Sequence, residues 1–392
     1  MDAQENKTPG AFKKEIGVET LIFPLIFFGI FAFFAWKMGL ANALNTMMHT
    51  AQDLLKNTVL ELTAICVIMG AISGLLSEFG FVSLINRLLQ PLMKPIYGLP
   101  GAASLGVVTT FLSDNPAILA LADDQNFRRF FKKHQFPALT NLGTAFGMGL
   151  IVCTYMYGCG TVDQPLGLAV LVGLLGAVVG SIVSTRIMLI FTKKVFGTDA
   201  PMETSGSASE VPVHMRAVRP GSVGNRVMGA ILEGGHSGVK MGVSIVPGVL
   251  VICTLVMMLT FGAGEGGYDG SAYQGVALLP WLAGKINFIL KPLFGFSHPE
   301  AVGVPVTALG AAGAAMTLVP DLIKNGLVGA NDVAVFTAMC MCWSGYLSTH
   351  TSMMDSLNCK NLIGKAILSH TIGGLCAGVA AHWLYVLLST IF

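Results

Sequence analysis

Residues 109–118 read TTFLSDNPAI. They lie between two apolar runs, GAASLGVV before and LALA after. An ionised Asp at the centre of a bilayer costs about 2.5–3.5 kcal/mol on insertion scales. Pro116 also removes a backbone donor. A Ser-Asp-Asn-Pro run in a hydrophobic stretch must therefore be buried in protein or face a watery cavity, and its accommodation decides the fold.

The surroundings are a membrane sequence. Of 392 residues, 53% are hydrophobic and 11% charged, and mean hydropathy is +0.70. Soluble domains carry about 25% charged residues. Apolar segments long enough to span occur at 20–40, 58–79, 137–157, 165–190, 241–262, 333–357 and 366–391. Stretches 100–122 and 301–320 are apolar but interrupted, the second by Gly, Ala and Pro. Stretches 81–97 and 281–298 read as amphipathic interfacial helices. The N-terminus is polar and lacks a signal-peptide pattern, so the first apolar run is expected to stay as a helix. No basic stripe or aromatic-basic motif points to nucleic acid. The eight cysteines show no finger spacing and read as small apolar packing residues.

Positive charge sets the topology. Arg128, Arg129, Lys132 and Lys133 follow the first interrupted stretch, and Arg186, Lys193, Lys194, Arg216, Arg219 and Arg226 flank the central linker. Loops 158–164 and 263–275 hold no Lys or Arg. With basic loops inside, Arg87 and Lys94 fall on the same side as Arg128. A segment with both ends on one side enters and returns. Ser113-Asp114-Asn115-Pro116 is thus the expected tip of a re-entrant hairpin, where non-helical backbone is tolerated at membrane depth.

The second half repeats the first. Lys94-Pro95 matches Lys291-Pro292 at an offset of 197, and Asp123 with Asp321 and Gly147 with Gly345 at 198. Gly176-x-x-x-Gly180 matches Gly374-x-x-x-Gly378, again at 198. The loop charges give the copies opposite orientations, a frequent plan of secondary transporters. The expected fold is an all-α integral membrane protein with about seven spanning helices and two re-entrant hairpins in an inverted-topology repeat. Its parts are a cytoplasmic tail (1–19), an extra first helix and connector (20–57), repeat 1 (58–196, hairpin 100–122), a cytoplasmic linker (197–240) and repeat 2 (241–392, hairpin 301–320).

The halves match in frame but not in polarity. Ser113, Asp114 and Asn115 fall opposite Gly and Ala near 311–315, whereas the polar run WSGYLSTHTSMMDSLN has an apolar counterpart. One asymmetric central site is expected, with the hairpin tip on one side and a polar helix on the other. A carboxylate at Asp114 binds Na⁺ with nearby carbonyls or titrates, Asn115 offers two donors and an acceptor, and Pro116 frees carbonyls. The bland alternative is a helix cap. The polar helix contributes Ser344, Ser348, Thr349, His350, Thr351, Ser352 and Asp355. Helical spacing places Ser344, Ser348 (or Thr351) and Asp355 on one face, with His350 as a proton carrier. Asn141 opens the helix after the first hairpin as a cavity-lining candidate. Hydroxyls bonding their own helix are the alternative reading for Ser and Thr, and an interfacial position is that for Asp355.

The frame LMKPIYGLPGAASLGVVTTFLSDNPAILAL (92–121), with its second copy ILKPLFGFSHPEAVGVPV (289–306), resembles the Gate-domain or nucleoside-recognition family of bacterial membrane proteins. Relatives are spore-maturation membrane proteins, the permease part of ferrous-iron transport protein B and, more distantly, concentrative nucleoside transporters. Where those transporters carry a solute-binding glutamine-threonine-glutamate motif, this chain has Ser113-Asp114-Asn115. The resemblance implies transport-like architecture in a bacterial plasma membrane.

The expected function is an ion-coupled secondary transporter of a small polar solute, with nucleoside-like solutes among the candidates, that shifts one repeat against the other. Na⁺ or H⁺ is the candidate coupling ion, and no other cofactor and no enzyme motif is read. The N-terminus is expected in the cytoplasm. Expected partners are the lipid bilayer, the solute, and another copy or a membrane partner subunit. Two alternatives stand: a scaffold or regulatory subunit, and a divalent metal permease using Cys340 and Cys342.

Overall fold

The computed structural model describes residues 15–391 except 116, 119–124, 163, 203–217, 245 and 265. Its described residues are helical, with isolated bridges and no strand. Six helices are long and apolar enough to cross a membrane: Val18–Met38, Leu40–Glu78, Ala138–Gly158, Gly167–Phe196, Val223–Thr260 and Lys360–Ser389. The first is the least packed, leaving Leu21, Phe23, Leu25 and Phe28 exposed, the surface a lipid-facing helix presents.

Three expectations on helix boundaries change. Residues 40–78 form one helix through a π-turn at Leu54–Val59, so the connector and the following span are continuous. The helix before the second repeat begins at Val223, inside the stretch read as linker. Within that stretch Gly234 and Gly238 pack against the backbone of Gly70 and Cys66. The sixth expected span, 333–357, is two helices, Ala330–Cys342 and Tyr346–Ser356. Gly345 adopts φ +65° between them, a left-handed conformation that ends a right-handed helix.

Two packed units position the site. In one, helices 60–78 and 223–244 touch through backbone. A Cβ on Gly70 lies 2.4 Å from the Gly234 carbonyl, and one on Gly238 lies 2.2 Å from the Cys66 carbonyl. In the other, helix 167–196 from repeat 1 runs against helix 363–389 from repeat 2. A Cβ on Gly176 meets the Ala377 carbonyl at 2.7 Å, and one on Gly373 meets the Gly180 carbonyl at 2.7 Å. Lipid supplies little hydrophobic drive for helix association, so such close contacts carry the dispersion energy.

A buried polar chain ties the second unit together. Asn141 Nδ2 donates to Ser184 Oγ (2.9 Å) and to the Ala366 carbonyl (3.0 Å). His370 Nε2 lies 2.5 Å from the Cys342 carbonyl, and its Nδ1 lies 2.9 Å from Ser184 Oγ. A carbonyl only accepts, so Nε2 carries the hydrogen and Nδ1 accepts from Ser184. The chain satisfies the carbonyl freed where helix 330–342 ends, and it joins both repeats.

Glu78 closes one end of the first unit. Arg219 Nη1 and Arg226 Nε reach its two carboxylate oxygens at 2.6 and 2.7 Å, while Arg219 Nη2 also meets Glu233 at 2.5 Å. The Glu78 side chain is 4% exposed and that of Glu233 73%. Losing one partner of a buried pair is costly, whereas exposed pairs contribute little. Glu78→Gln is therefore expected to lower the melting temperature of the purified protein clearly more than Glu233→Gln; equal shifts would contradict this ranking.

Candidate functional site: a cavity where four chain breaks meet

The short arm Ala103–Leu112 has 10 residues, about 15 Å at 1.5 Å per residue, half the hydrocarbon thickness. It stops at Ser113, whose φ −136° and ψ −116° leave the helical region. Its counterpart Gly303–Ala308 breaks before Ala312–Thr317. Two longer elements break at corresponding points. Ala138–Thr144 and Gly149–Gly158 are separated by a turn containing Met148 at φ +55°, and the second pair by Gly345. A non-glycine residue held in this region costs about 1–3 kcal/mol, which the surroundings must offset.

All four breaks line one cavity of about 290 Å³. Asp114 and Asn115 come from the first hairpin tip, Met148 and Ser344-Gly345 from the broken helices, and Gly310–Gly313 from the second hairpin. Ser244, Gly248 and Ile252 of helix 223–260 close the remaining side.

Asn115 is the fixed point. It is 1% exposed, and its Nδ2 donates to the Ser344 carbonyl at 2.6 Å. Its Oδ1 is buried and has no protein partner. That oxygen lies against Gly147, where a Cβ would stand 1.8 Å from it. The Asp114 carboxylate accepts the Asn115 backbone N–H at 2.7 Å. Ser113, one residue earlier, lines a different cavity of about 190 Å³ with Cys66, Ser73, Arg219 and Glu233. The hairpin tip is thus the partition between two cavities.

The polar helix divides. Ser344 and Thr349 line the central cavity. His350 is fully buried on another side, its ring centroid 4.6 Å from that of His370 and both ring nitrogens without a partner. Thr351 is exposed and donates to the Leu347 carbonyl at 2.9 Å. Asp355 is exposed and paired with Lys360 at 2.9 Å. Ser344 does not share a face with Thr351 and Asp355, because Gly345 separates it from the helix Tyr346–Ser356 that carries both. Asn141 sits in the polar chain between the long helices rather than on the cavity wall. Pro116 and the side chains of Ser348 and Ser352 lie outside the described residues.

Sequence reasoning missed Met148, Ser244 and the backbone of Gly310–Gly313. The glycine pair in FGMG and the match of Gly147 to Gly345 were the available signals. Cys340 and Cys342 are buried, and among the described residues no three His, Cys, Asp or Glu side chains converge as a metal site would require.

The described residues define a helical, multi-pass membrane protein with broken helices around a central cavity. The family model Gate, described as nucleoside recognition, matches residues 59–194, and the resemblance read from the hairpin frame is borne out. An uncharacterised protein of Alkalihalophilus pseudofirmus is 24% identical over 223 residues, 54% of this chain and 46% of that one. The chain thus spans about half the length of the curated relative it matches. Among solved structures, a double variant of the concentrative nucleoside transporter CNTnw in an outward-facing state aligns with 95% of this chain and 87% of its own, at TM-score 0.53 and 15% identity. CNTnw in an inward-facing, substrate-bound state aligns with 93% and 84%, at 0.52 and 13%. An intermediate state of a further CNTnw variant gives the same coverage at 0.51 and 13%. At these identities the likeness is one of fold.

Proposed function

We propose that this protein is an ion-coupled secondary transporter, moving a small polar solute across a bacterial plasma membrane by alternating access. The observation that carries the reading is the meeting of four backbone breaks, two from each repeat, on one cavity. Broken elements free carbonyls and N–H groups at membrane depth, where nothing else solvates them. Nucleosides are the first solutes to test, given the fold shared with CNTnw.

In this reading the moving parts are not the two repeats, because the close glycine packing of helices 167–196 and 363–389 supports their moving together. The natural division is between that mixed bundle and the pair formed by helices 60–78 and 223–244. The 190 Å³ cavity lies along this division, with Ser113 and Leu112 on one side and Gly70, Gly74 and Gly238 on the other. With the N-terminus inside, this cavity faces the cytoplasm.

Transport of labelled nucleosides, nucleobases and amines into proteoliposomes, under imposed Na⁺ or H⁺ gradients, tests the reading. Accumulation that follows a gradient is expected; equilibration indifferent to both would remove the coupling. Orientation has its own check. Ser113→Cys, with the half-buried Cys153, Cys159 and Cys376 replaced by Ser, is expected to react with a membrane-impermeant maleimide in inside-out vesicles. Reaction in right-side-out vesicles alone would invert the topology.

A further inference from the structure

Several side-chain donors of the central cavity are already committed to the protein. Asn115 Nδ2 is committed to the Ser344 carbonyl at 2.6 Å. The Thr349 hydroxyl donates to the Gly345 carbonyl at 2.9 Å, and the Ser244 hydroxyl to the Met241 carbonyl at 2.7 Å. These groups offer the cavity their lone pairs. Asn115 Oδ1 is an acceptor without a partner. Asp114 is the one formally charged group among the described lining residues, and its carboxylate accepts the Asn115 backbone N–H. Those residues include no Lys, Arg or His.

From this inventory we infer that the solute is an organic cation whose primary ammonium group binds Asp114 and the neighbouring oxygens. An ammonium has three donors, no acceptor and a positive charge, matching the one carboxylate and the oxygens beside it. An anion meets that carboxylate and no cationic side chain among the described lining residues, so phosphorylated and carboxylic solutes are rejected. A neutral hydroxylated solute satisfies some oxygens but leaves the charge unpaired. The small, largely Gly and Ala remainder of the wall suits a short carbon chain. This inference rests on the transport reading for its word solute; the binding itself does not.

The test uses putrescine, butanediol and succinate, four-carbon chains that differ only in their end groups. Each is added to the purified full-length protein in sodium-free potassium buffer, and the melting temperature is followed against concentration. Putrescine is expected to stabilise the protein, and the diol and diacid to leave it unchanged. Asp114→Asn keeps the shape and is expected to weaken putrescine binding at least about 30-fold. Asp114→Glu keeps the charge and is expected to retain part of it, which separates lost charge from a damaged fold. Equal stabilisation by the diol, undiminished binding by Asp114→Asn, or no response to putrescine overturns the inference. Putrescine that binds but never enters proteoliposomes defeats the transport reading and leaves the cation site standing.

Discussion

Gly147→Ala is expected to abolish ligand-induced stabilisation and transport while leaving a folded protein. The added Cβ would stand 1.8 Å from Asn115 Oδ1, 2.7 Å from its Cγ and 3.0 Å from Ser344 Oγ. The Asn115 amide must rotate away, and its bond to the Ser344 carbonyl goes with it. The obstacle is a side chain end, so the fold yields locally at about 1–3 kcal/mol, the usual range for overpacking. Function does not yield in the same way, because this contact joins the first hairpin tip to the breaks of both long elements. A displacement of about 1 Å in such a constellation costs about 100-fold or more. The companion variant Asn115→Ala/Gly147→Ala removes the clash. It is expected to regain melting temperature without regaining transport, a non-additivity that a double-mutant cycle reads directly. Wild-type uptake by Gly147→Ala would show that the Asn115 amide has no fixed role.

The largest stability effect is expected from Gly180→Leu. A Cβ there meets the Gly373 carbonyl at 2.6 Å, Ala377 Cβ at 2.6 Å and Cys342 Sγ at 3.0 Å. Two of these belong to the opposing helix, one to its backbone, and cannot swing aside. The helices must separate, and separation breaks Ser184–His370 and Asn141–Ala366, leaving buried polar groups unpaired at about 1–3 kcal/mol each. With overpacking added, the total exceeds about 3 kcal/mol, a large fraction of a typical folding free energy. Little monodisperse protein is expected by fluorescence-detected size exclusion. Gly29→Leu on the first helix, where nothing lies within 4 Å, is the control and should behave as wild type. A monodisperse Gly180→Leu with unchanged melting temperature would mean that the two repeats are not locked at this seam.

Both variants bear on the same point about motion. Gly147 acts against the Asn115 amide, next to the cavity. Gly180 acts in the seam that makes the two repeats one body. If the bundle moves as proposed, mild variants of the seam such as Gly180→Ala lower stability, whereas variants of the joint change uptake at nearly constant stability.

The residues that locate the cavity were legible because they violate a local rule. Asp114 and Asn115 stand out since charge and amide in an apolar run are expensive, and nothing about their neighbours is needed to see it. The inverted repeat was legible as a near-constant offset, and the membrane class as composition. The broken helices were not. A freed carbonyl belongs to the backbone and leaves no mark in residue type, so Met148 reads as one more apolar residue in an apolar run. Periodicity misplaced Asp355 for a related reason: it presumes an unbroken helix, and one left-handed residue at Gly345 removes the register on which that face depended.

Packing partners lay furthest beyond the sequence. Gly176-x-x-x-Gly180 and Gly374-x-x-x-Gly378 were visible as close-approach motifs, yet they do not simply face each other. Gly180 lies on Gly373 and Ala377, while Gly374 makes room for the Trp343 ring and Gly378 for Met339. A small residue states that something comes near, not what. The sequence by itself determined a helical membrane protein of two matching halves with a polar run in one of them. Tertiary structure alone decided which helices of the two halves pack together and that four breaks share one cavity. Those are relations between distant segments, set by contacts of backbone and small side chains that carry no pattern of their own.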